Sequence, residues 1–285
     1  MHKVLLIIWK MRLDKALFEK GFVKSRSRAA LLINENSVTV NGKIINKASF
    51  NINENDVISV IDTIGYVGRG GLKLEGAIKI FDIDVSGFDA VDIGASTGGF
   101  TECLLKFGAK SVVSVDVGHD QMDSSIKNDK RVTLLENTNA KDLTPELIGG
   151  KKDIAVMDVS FISQTEIYQA MFSILKENGI AITLVKPQFE AGSKYLNKKG
   201  IIKDKKIYLD VLKKIEKCAN SFSYGVENAC VSSILGGDGN VEFLILLTKN
   251  APMFDFKNVY EQAIKEIKGW KILAFMLIKI KIKTF

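Results

Sequence analysis

Cysteine, proline and histidine are scarce in this chain of 285 residues, and each scarcity removes a class of answer. The three cysteines, Cys103, Cys218 and Cys230, are odd in number and far apart, so neither a disulfide framework nor a metal-binding cysteine spacing exists. With only His2 and His119, a histidine-based catalytic triad has little material. Unpaired thiols fit a reducing compartment, so a cytoplasmic location is expected. No apolar run reaches the roughly 20 residues of a membrane-spanning helix, so stable membrane insertion is not expected. The apolar stretch at residues 4–9 is too short for a signal peptide and has no small-residue cleavage site. Met11-Arg12-Leu13 reads as a natural start, which makes residues 1–10 an extension.

What is present is basic charge, unevenly placed. The formal net charge is +7. Residues 1–62 hold ten Lys/Arg against six Asp/Glu, a local excess of +4. A basic N-terminal portion points to an acidic partner, most simply nucleic acid. Charge alone fits a solvated surface equally well.

The chain is organised around Val91-Asp92-Ile93-Gly94-Ala95-Ser96-Thr97-Gly98-Gly99-Phe100-Thr101. Residues 90–93 read as a buried strand and residues 100–107 as a helix, with a glycine turn between them. That order opens a doubly wound α/β sheet, and the turn exposes bare backbone to a ligand. No Lys-Ser or Lys-Thr pair follows, which excludes a phosphate-gripping P-loop. Asp92 ahead of the first glycine suits a cationic or amino-bearing ligand better than a pyrophosphate. S-adenosylmethionine, with an ammonium and a sulfonium, has that character. The strand at 111–116 ends in Asp116, a carboxylate able to accept both hydroxyls of a ribose. Asp92, Gly94, Ser96, Gly98, Gly99, Phe100 and Asp116 are therefore the expected cofactor-binding residues.

Further strands are expected at 133–135, 154–157 and 180–185, with helices at 165–175 and 205–222. Two late strands, 229–234 and 241–247, form a hairpin that closes the otherwise parallel sheet. Residues 190–206 carry Lys194, Lys198, Lys199, Lys203, Lys205 and Lys206, with Gly192 and Gly200 near the ends. This segment is expected to be a mobile loop able to close over RNA. Lys73, Asp158, Lys186 and Glu242 fall at strand or helix ends, where an α/β sheet gathers its ligand groups.

Ahead of this domain lies a small unit. Two helices at 14–20 and 25–34 precede a strand at 37–40, the turn Asn41-Gly42 and a strand at 57–61. Arg12, Lys15, Lys24, Arg26 and Arg28 cluster on the helices, where phosphates can dock. Arg12-Leu13-Asp14, Ala16-Leu17, Ser25-Arg26-Ser27-Arg28-Ala29, and Val38 with Val40-Asn41-Gly42 resemble the RNA-binding module of small-subunit ribosomal protein S-four. The resemblance implies that Arg12 and the Ser-Arg run face RNA. Simple pairing of Arg26 with Asp14 is the plainer alternative.

Four further motifs carry a second resemblance: Gly70-Gly71-Leu72-Lys73-Leu74, Asp158-Val159-Ser160-Phe161-Ile162-Ser163, Lys186-Pro187-Gln188-Phe189-Glu190 and Gly239-Asn240-Val241-Glu242-Phe243. They are similar to the Lys-Asp-Lys-Glu tetrad of FtsJ-like RNA ribose 2′-O-methyltransferases, in the TlyA branch, which joins an S-four-like module to that catalytic domain. The resemblance implies a Rossmann-like α/β methyltransferase sheet with a small N-terminal α+β RNA-binding domain. The expected organisation is an RNA-binding domain at 11–62, a linker at 63–71, a methyltransferase domain at 72–250 and a tail of uncertain structure at 251–285. It implies S-adenosylmethionine as cofactor, ribosomal RNA or ribosomal subunits as partner, cytidine 2′-O-methylation as the activity, and no metal. Lys73, Asp158, Lys186 and Glu242 become the expected catalytic residues. Two rivals stand beside it: a membrane-active cytolysin, suggested only by the haemolysin name that some members carry, and an inactive RNA-binding relative. The lack of a spanning run argues against the first, and the intact tetrad against the second.

Overall fold

The computed structural model describes residues 10–23, 25–34, 37–60, 65–237 and 239–266. The chain divides into two compact units, residues 1–68 and 69–285.

The first unit holds β1 (Met11–Arg12), α1 (Leu13–Glu19), α2 (Arg26–Asn34), β2 (Val38–Val40), β3 (Lys43–Ile44), β4 (Asn51–Ile52) and β5 (Ile58–Val60). Strands β3, β2 and β5 form an antiparallel sheet in that order, and β1 pairs with β4. Asn41 and Gly42 both take positive φ, 51° and 76°, which is what a two-residue hairpin turn demands. Leu13, Ala16, Leu17, Ala29, Leu32, Ile33, Val38 and Ile52 make its core. The two-residue strands β1 and β4 have no sequence signal, because two residues show no alternation.

The second unit is a seven-stranded sheet. Its elements are α3 (Gly70–Phe81), β6 (Asp89–Ile93), α4 (Gly99–Lys106), β7 (Ser111–Val115), α5 (Ser124–Lys127), β8 (Val132–Leu135), β9 (Lys152–Met157), α6 (Tyr168–Ser173), β10 (Leu175–Val185), α7 (Pro187–Glu190), α8 (Lys206–Asn220), β11 (Tyr224–Val231) and β12 (Phe243–Lys249). The strand order is β11-β12-β10-β9-β6-β7-β8. Strands β10, β9, β6, β7 and β8 run parallel, while β12 and β11 are antiparallel additions. The order reverses between β6 and β9. Loops leave that point in opposite directions, and a crevice opens above the carboxyl ends of the two strands.

Helix α3 buries Leu74, Ala77, Ile78 and Phe81, the stripe that a 3.6-residue period brings onto one face. It begins at Gly70, so Gly70 and Gly71 belong to its first turn and not to a linker. A side chain at Gly70 would meet Phe100 Cδ1 at 3.1 Å, so a bare helix start is what lets α3 reach α4.

Three further expectations change. The helix expected at 165–175 is confined to Tyr168–Ser173, and Leu175 already pairs with Lys152 as the start of β10. An irregularity between Leu175 and Ile180 lets β10 start early, and periodicity in a short apolar run does not reveal that. The segment at 190–206 is folded: Leu196 bridges Ile202, and Asn197 Oδ1 accepts from the backbone of Lys199 and Ile201. Buried Asn240 anchors it, donating to Gly200 O and accepting from Ile202 N. Within the stretch read as tail, residues 257–266 are helical, and Phe256, Val259 and Ala263 are buried in the core of the second unit. The apolar-basic run at 272–283 lies outside the described residues.

Candidate active site at the carboxyl edge of the sheet

The glycine turn follows β6. Gly94 has φ 84°, and a Cβ there would sit 2.4 Å from the carbonyl oxygen of Asp158, so only glycine lets the turn lie against the end of β9. Ser96 follows at φ 47°, a left-handed conformation that costs a serine free energy and is typical of ligand-holding turns. Its N–H donates to Asp116 Oδ2 at 2.7 Å, and Gly118 N donates to Oδ1 at 2.7 Å. Half-buried Asp116 is thus fixed by backbone, and each oxygen keeps a lone pair for another donor. Gly98, at φ 93°, caps α4, and Gly99 and Phe100 form its first turn.

A cavity of about 520 Å³ is bounded by Gly94, Ser96, Asp116, Asn139, Asp158 and Phe161, among others. A second, of about 310 Å³, is bounded by Arg69, Lys73, Gly99, Phe100, Asp158 and Lys186, among others. The two share Gly94, Ser96, Asp158 and Ser160 as walls.

Asp92 departs from its expected place. It is fully buried and lines neither cavity. Its Oδ2 accepts from Thr101 Oγ1 at 2.7 Å, and Thr101 Oγ1 also lies 2.7 Å from Ser114 Oγ. Its Oδ1 has no hydrogen-bond partner. Burial pushes the carboxyl up to about 7, against the opposing bond from Thr101. The folded chain therefore holds this proton between about pH 4 and about pH 7, where the unfolded chain releases it. Stability should fall as pH rises through that window. In Asp92→Asn this component of the fall should vanish; urea unfolding at pH 5 and pH 7.5 measures it, and an equal fall in both proteins would refute the assignment.

The four tetrad candidates form two ion pairs. Lys73 Nζ lies 2.5 Å from Glu242 Oε2, with both side chains buried, at 8% and 3% exposure. Lys186 Nζ lies 2.6 Å from Asp158 Oδ1 and donates to Ser160 Oγ at 2.8 Å. Lys73, Asp158 and Lys186 share the smaller cavity, and Glu242 sits behind Lys73. A side chain at Gly236 would strike Glu242 Oε1 at 2.5 Å, so the glycines before β12 make room for this carboxylate. Among the described residues, no group of three His, Cys, Asp or Glu is placed to hold a metal ion.

A model of FtsJ-like methyltransferases matches residues 66–249, the span that contains the glycine turn, both cavities and all four tetrad residues. The chain belongs to the FtsJ-like methyltransferase family. A model of the S4 domain matches residues 11–58 of the first unit. Hemolysin A of Brachyspira hyodysenteriae is 42% identical over 239 residues, spanning 82% of this chain and 98% of that protein. The 16S/23S rRNA (cytidine-2'-O)-methyltransferase TlyA of Mycobacterium tuberculosis is 37% identical over 240 residues, spanning 84% of this chain and 90% of its own. A solved structure from Streptococcus thermophilus, hemolysin by name, superposes with a TM-score of 0.74 at 36% identity, covering 92% of this chain and 98% of that one.

Besides the tetrad, the site holds residues whose types alone assign them no role. Phe161 is 90% exposed, has φ 65°, and packs against Phe189 with the rings tilted by 47° and their centroids 5.0 Å apart. A bulky side chain in the left-handed region, held in solvent at a cavity rim, is strained and costly to expose. Ser160 and Arg69 also line the smaller cavity. Only an unexpected φ and an exposure value mark Phe161, and neither is written in residue types.

In the first unit, Arg12 and Arg26 converge on one carboxylate. Arg12 makes two bonds of 2.9 Å to Asp14, and Arg26 Nη2 adds a third of 2.9 Å. Asp14 is buried, and the bond from Arg12 is the main cause that holds its carboxyl down to about 2. Both guanidiniums stay about half exposed, at 51% and 53%, so donors remain for phosphate. Lys15 pairs with Glu19, and Arg28 donates to Tyr66 O. Lys24 lies outside the described residues.

Proposed function

We propose that the chain transfers a methyl group from S-adenosylmethionine to a ribose 2′-oxygen of ribosomal RNA, on cytidine as its TlyA relative's name states. The observation that carries this reading is the convergence of Lys73, Asp158 and Lys186 on one cavity beside the glycine turn. The cofactor fits the larger cavity: Asp116 has lone pairs for ribose hydroxyls, and Val117, Phe161, Ile162 and Ile167 give an apolar wall for a flat base. Bare backbone at Gly94 fits close approach of the ligand to the turn. When bound, the cofactor supplies an electrophilic methyl on a sulfonium, so the protein's task is alignment and charge.

Lys186 is the group assigned to the 2′-hydroxyl. Lys186, charged, stabilises the developing oxyanion, and the proton leaving that oxygen passes to the Asp158 carboxylate paired with it. Ser160 and Asp158 fix where Nζ points. Lys73, neutralised by Glu242, places a second cation in the cavity wall. Exposed Phe161 offers a face on which an RNA base can stack. The first unit supplies phosphate contacts through Arg12, Lys15, Lys24, Arg26 and Arg28. The lysines of the folded 190–206 segment offer separate phosphate contacts on the second unit. A ribosomal substrate places the work in the cytoplasm; among the described residues no helix is long and apolar enough to cross a membrane.

Two measurements test this reading. Asp116→Ala removes the ribose acceptor and should weaken S-adenosylmethionine binding about 100-fold, since hydrogen bonds to a charged group contribute about 1.5–3 kcal/mol each. Calorimetry reads it, and unchanged affinity would remove the cofactor assignment. Arg26→Gln with Arg28→Gln leaves Arg12 to neutralise Asp14, so the unit should stay folded while losing two phosphate contacts. Affinity for rRNA should drop, and the slope of log affinity against log salt should flatten by roughly 1.5 to 2. Filter binding at several salt concentrations checks it; an unaltered slope would show that these arginines do not meet phosphate.

A further inference from the structure

Glu190 ends the Lys186 motif, and the structure gives it a position unlike that of a surface glutamate. Its side chain is 2% exposed. Oε1 accepts from Gln164 N at 2.8 Å; Oε2 accepts from Ser163 Oγ at 2.6 Å and from Lys214 Nζ at 3.1 Å. Lys214 also donates to the Glu190 carbonyl at 3.1 Å. One carboxylate thus ties together the loop after β9, helix α7 and helix α8. Burying a carboxylate is costly unless its acceptor sites are met, and here three donors from two separate segments meet it.

The loop it grips is the one that holds the chemistry. Asp158 and Ser160 both contact Lys186, and Phe161 stands at the rim. Asp158 N is tied to Ile93 O at 2.9 Å. Among the described residues, no backbone hydrogen bond holds residues 159–162. The loop is therefore anchored by hydrogen bonds at its two ends, to β6 on one side and to Glu190 on the other, while between them side chains alone hold it, Ser160 to Lys186 and Phe161 to Phe189. Glu190 itself lies at the far end of α7, whose start follows Lys186 directly. The carboxylate closes a ring that runs from Lys186 through α7 to Glu190, across to Ser163, and back along the loop to Asp158.

We propose that Glu190 is a positioning residue for methyl transfer: by clamping Ser163 and Gln164 to the end of α7, it sets the distance at which Asp158 and Ser160 meet Lys186. The inference rests on the methyl-transfer reading above. A displacement of about 1 Å at reacting groups can cost on the order of 100-fold in rate, so loss of the clamp should be read in turnover.

The full-length chain, Glu190→Ala, Glu190→Gln and Lys214→Met are compared by single-turnover transfer of labelled methyl to ribosomal subunits, by calorimetry with S-adenosylmethionine and by thermal melting. Glu190→Ala should lower the single-turnover rate about 30- to 100-fold. Its cofactor Kd should rise by no more than about tenfold: Phe161 and Ile162 of the clamped loop border the cofactor cavity, but Asp116, Gly94 and Asn139 lie outside that loop. Glu190→Gln keeps an acceptor for Gln164 N and can donate to Ser163 Oγ, so it should recover activity to within about fivefold of the parent. Lys214→Met leaves both loop bonds in place but strips the buried carboxylate of its counter-charge, so its Tm should fall while its rate stays within about threefold. A fully active Glu190→Ala overturns the proposal. So does a Gln variant as inactive as the Ala variant, or a Met variant that falls as far. If the unaltered chain transfers no methyl to ribosomal subunits, the functional reading fails, which is a different result from an active chain indifferent to position 190.

Discussion

Lys186→Ala abolishes methyl transfer, lowering the rate by about 10³-fold, the scale set by losing an oxyanion donor, while cofactor affinity stays within about threefold. The split follows from geometry. Lys186 borders the smaller cavity and is absent from the walls of the larger one, where Asp116 and the apolar wall lie. Its contacts are Asp158 at 2.6 Å and Ser160 at 2.8 Å. Asp158 is already 20% exposed with Lys186 in place, so the substitution leaves its carboxylate open to water and not sealed in an apolar site. The variant should therefore fold, bind cofactor and fail at the chemical step. Labelled methyl transfer under single-turnover conditions, beside calorimetry, separates these effects. Near-normal turnover in the folded variant would take Lys186 out of the mechanism. A parallel weakening of cofactor binding would mean that the residue holds the cofactor.

The second large effect is on stability. Glu242→Ala leaves the Lys73 ammonium buried without its counter-charge, and breaking a buried pair from one side costs about 3–5 kcal/mol. For a unit of this size each kcal/mol moves Tm by about 2–4 °C, so a fall on the order of 10 °C is expected. The charges themselves are not needed for folding. Lys73→Met with Glu242→Leu replaces the pair by apolar groups of similar size and should recover most of the lost Tm. It should not recover methyl transfer, because the cavity then lacks its second cation. Thermal melting with activity on the same three proteins tests both halves. A Glu242→Ala protein within 1 kcal/mol of the parent would show that Lys73 finds water or another partner. A double variant that transfers methyl normally would make the pair purely structural.

The alternation of strand, glycine turn, helix, strand and acid around residues 90–116 was legible in residue types, because each local step has its own chemistry. Glycines at 94 and 98 permit backbone that other residues resist, and Asn41-Gly42 permits one kind of hairpin turn. The late antiparallel strands were legible for the same reason, as apolar runs separated by a glycine-rich break. Local rules reach only a few residues, so element ends moved: α6 is shorter than its apolar run, and β10 starts earlier.

Contacts across long separations were decided only in the folded chain. Lys73 and Glu242 are 169 positions apart and Lys186 and Ser160 are 26 apart, and their pairing depends on how seven strands are ordered and staggered. Composition offered four charged residues at strand ends; tertiary structure sorted them into one pair buried on both sides and one open to the cavity. Asp92 shows the limit most clearly. Its place before a glycine suggested a residue that meets ligand, but its register on β6 turns it inward onto Thr101, whose hydroxyl also meets Ser114. Along a strand, successive side chains face opposite sides, so one residue of register separates a cavity wall from the core. The lysine-rich segment at 190–206, expected to move, is held by Asn240, a residue 40 positions beyond Gly200. The sequence by itself determined which local turns, strands and charges exist. The packed sheet decided which of those charges meet, because only close packing sets distances between groups far apart along the chain.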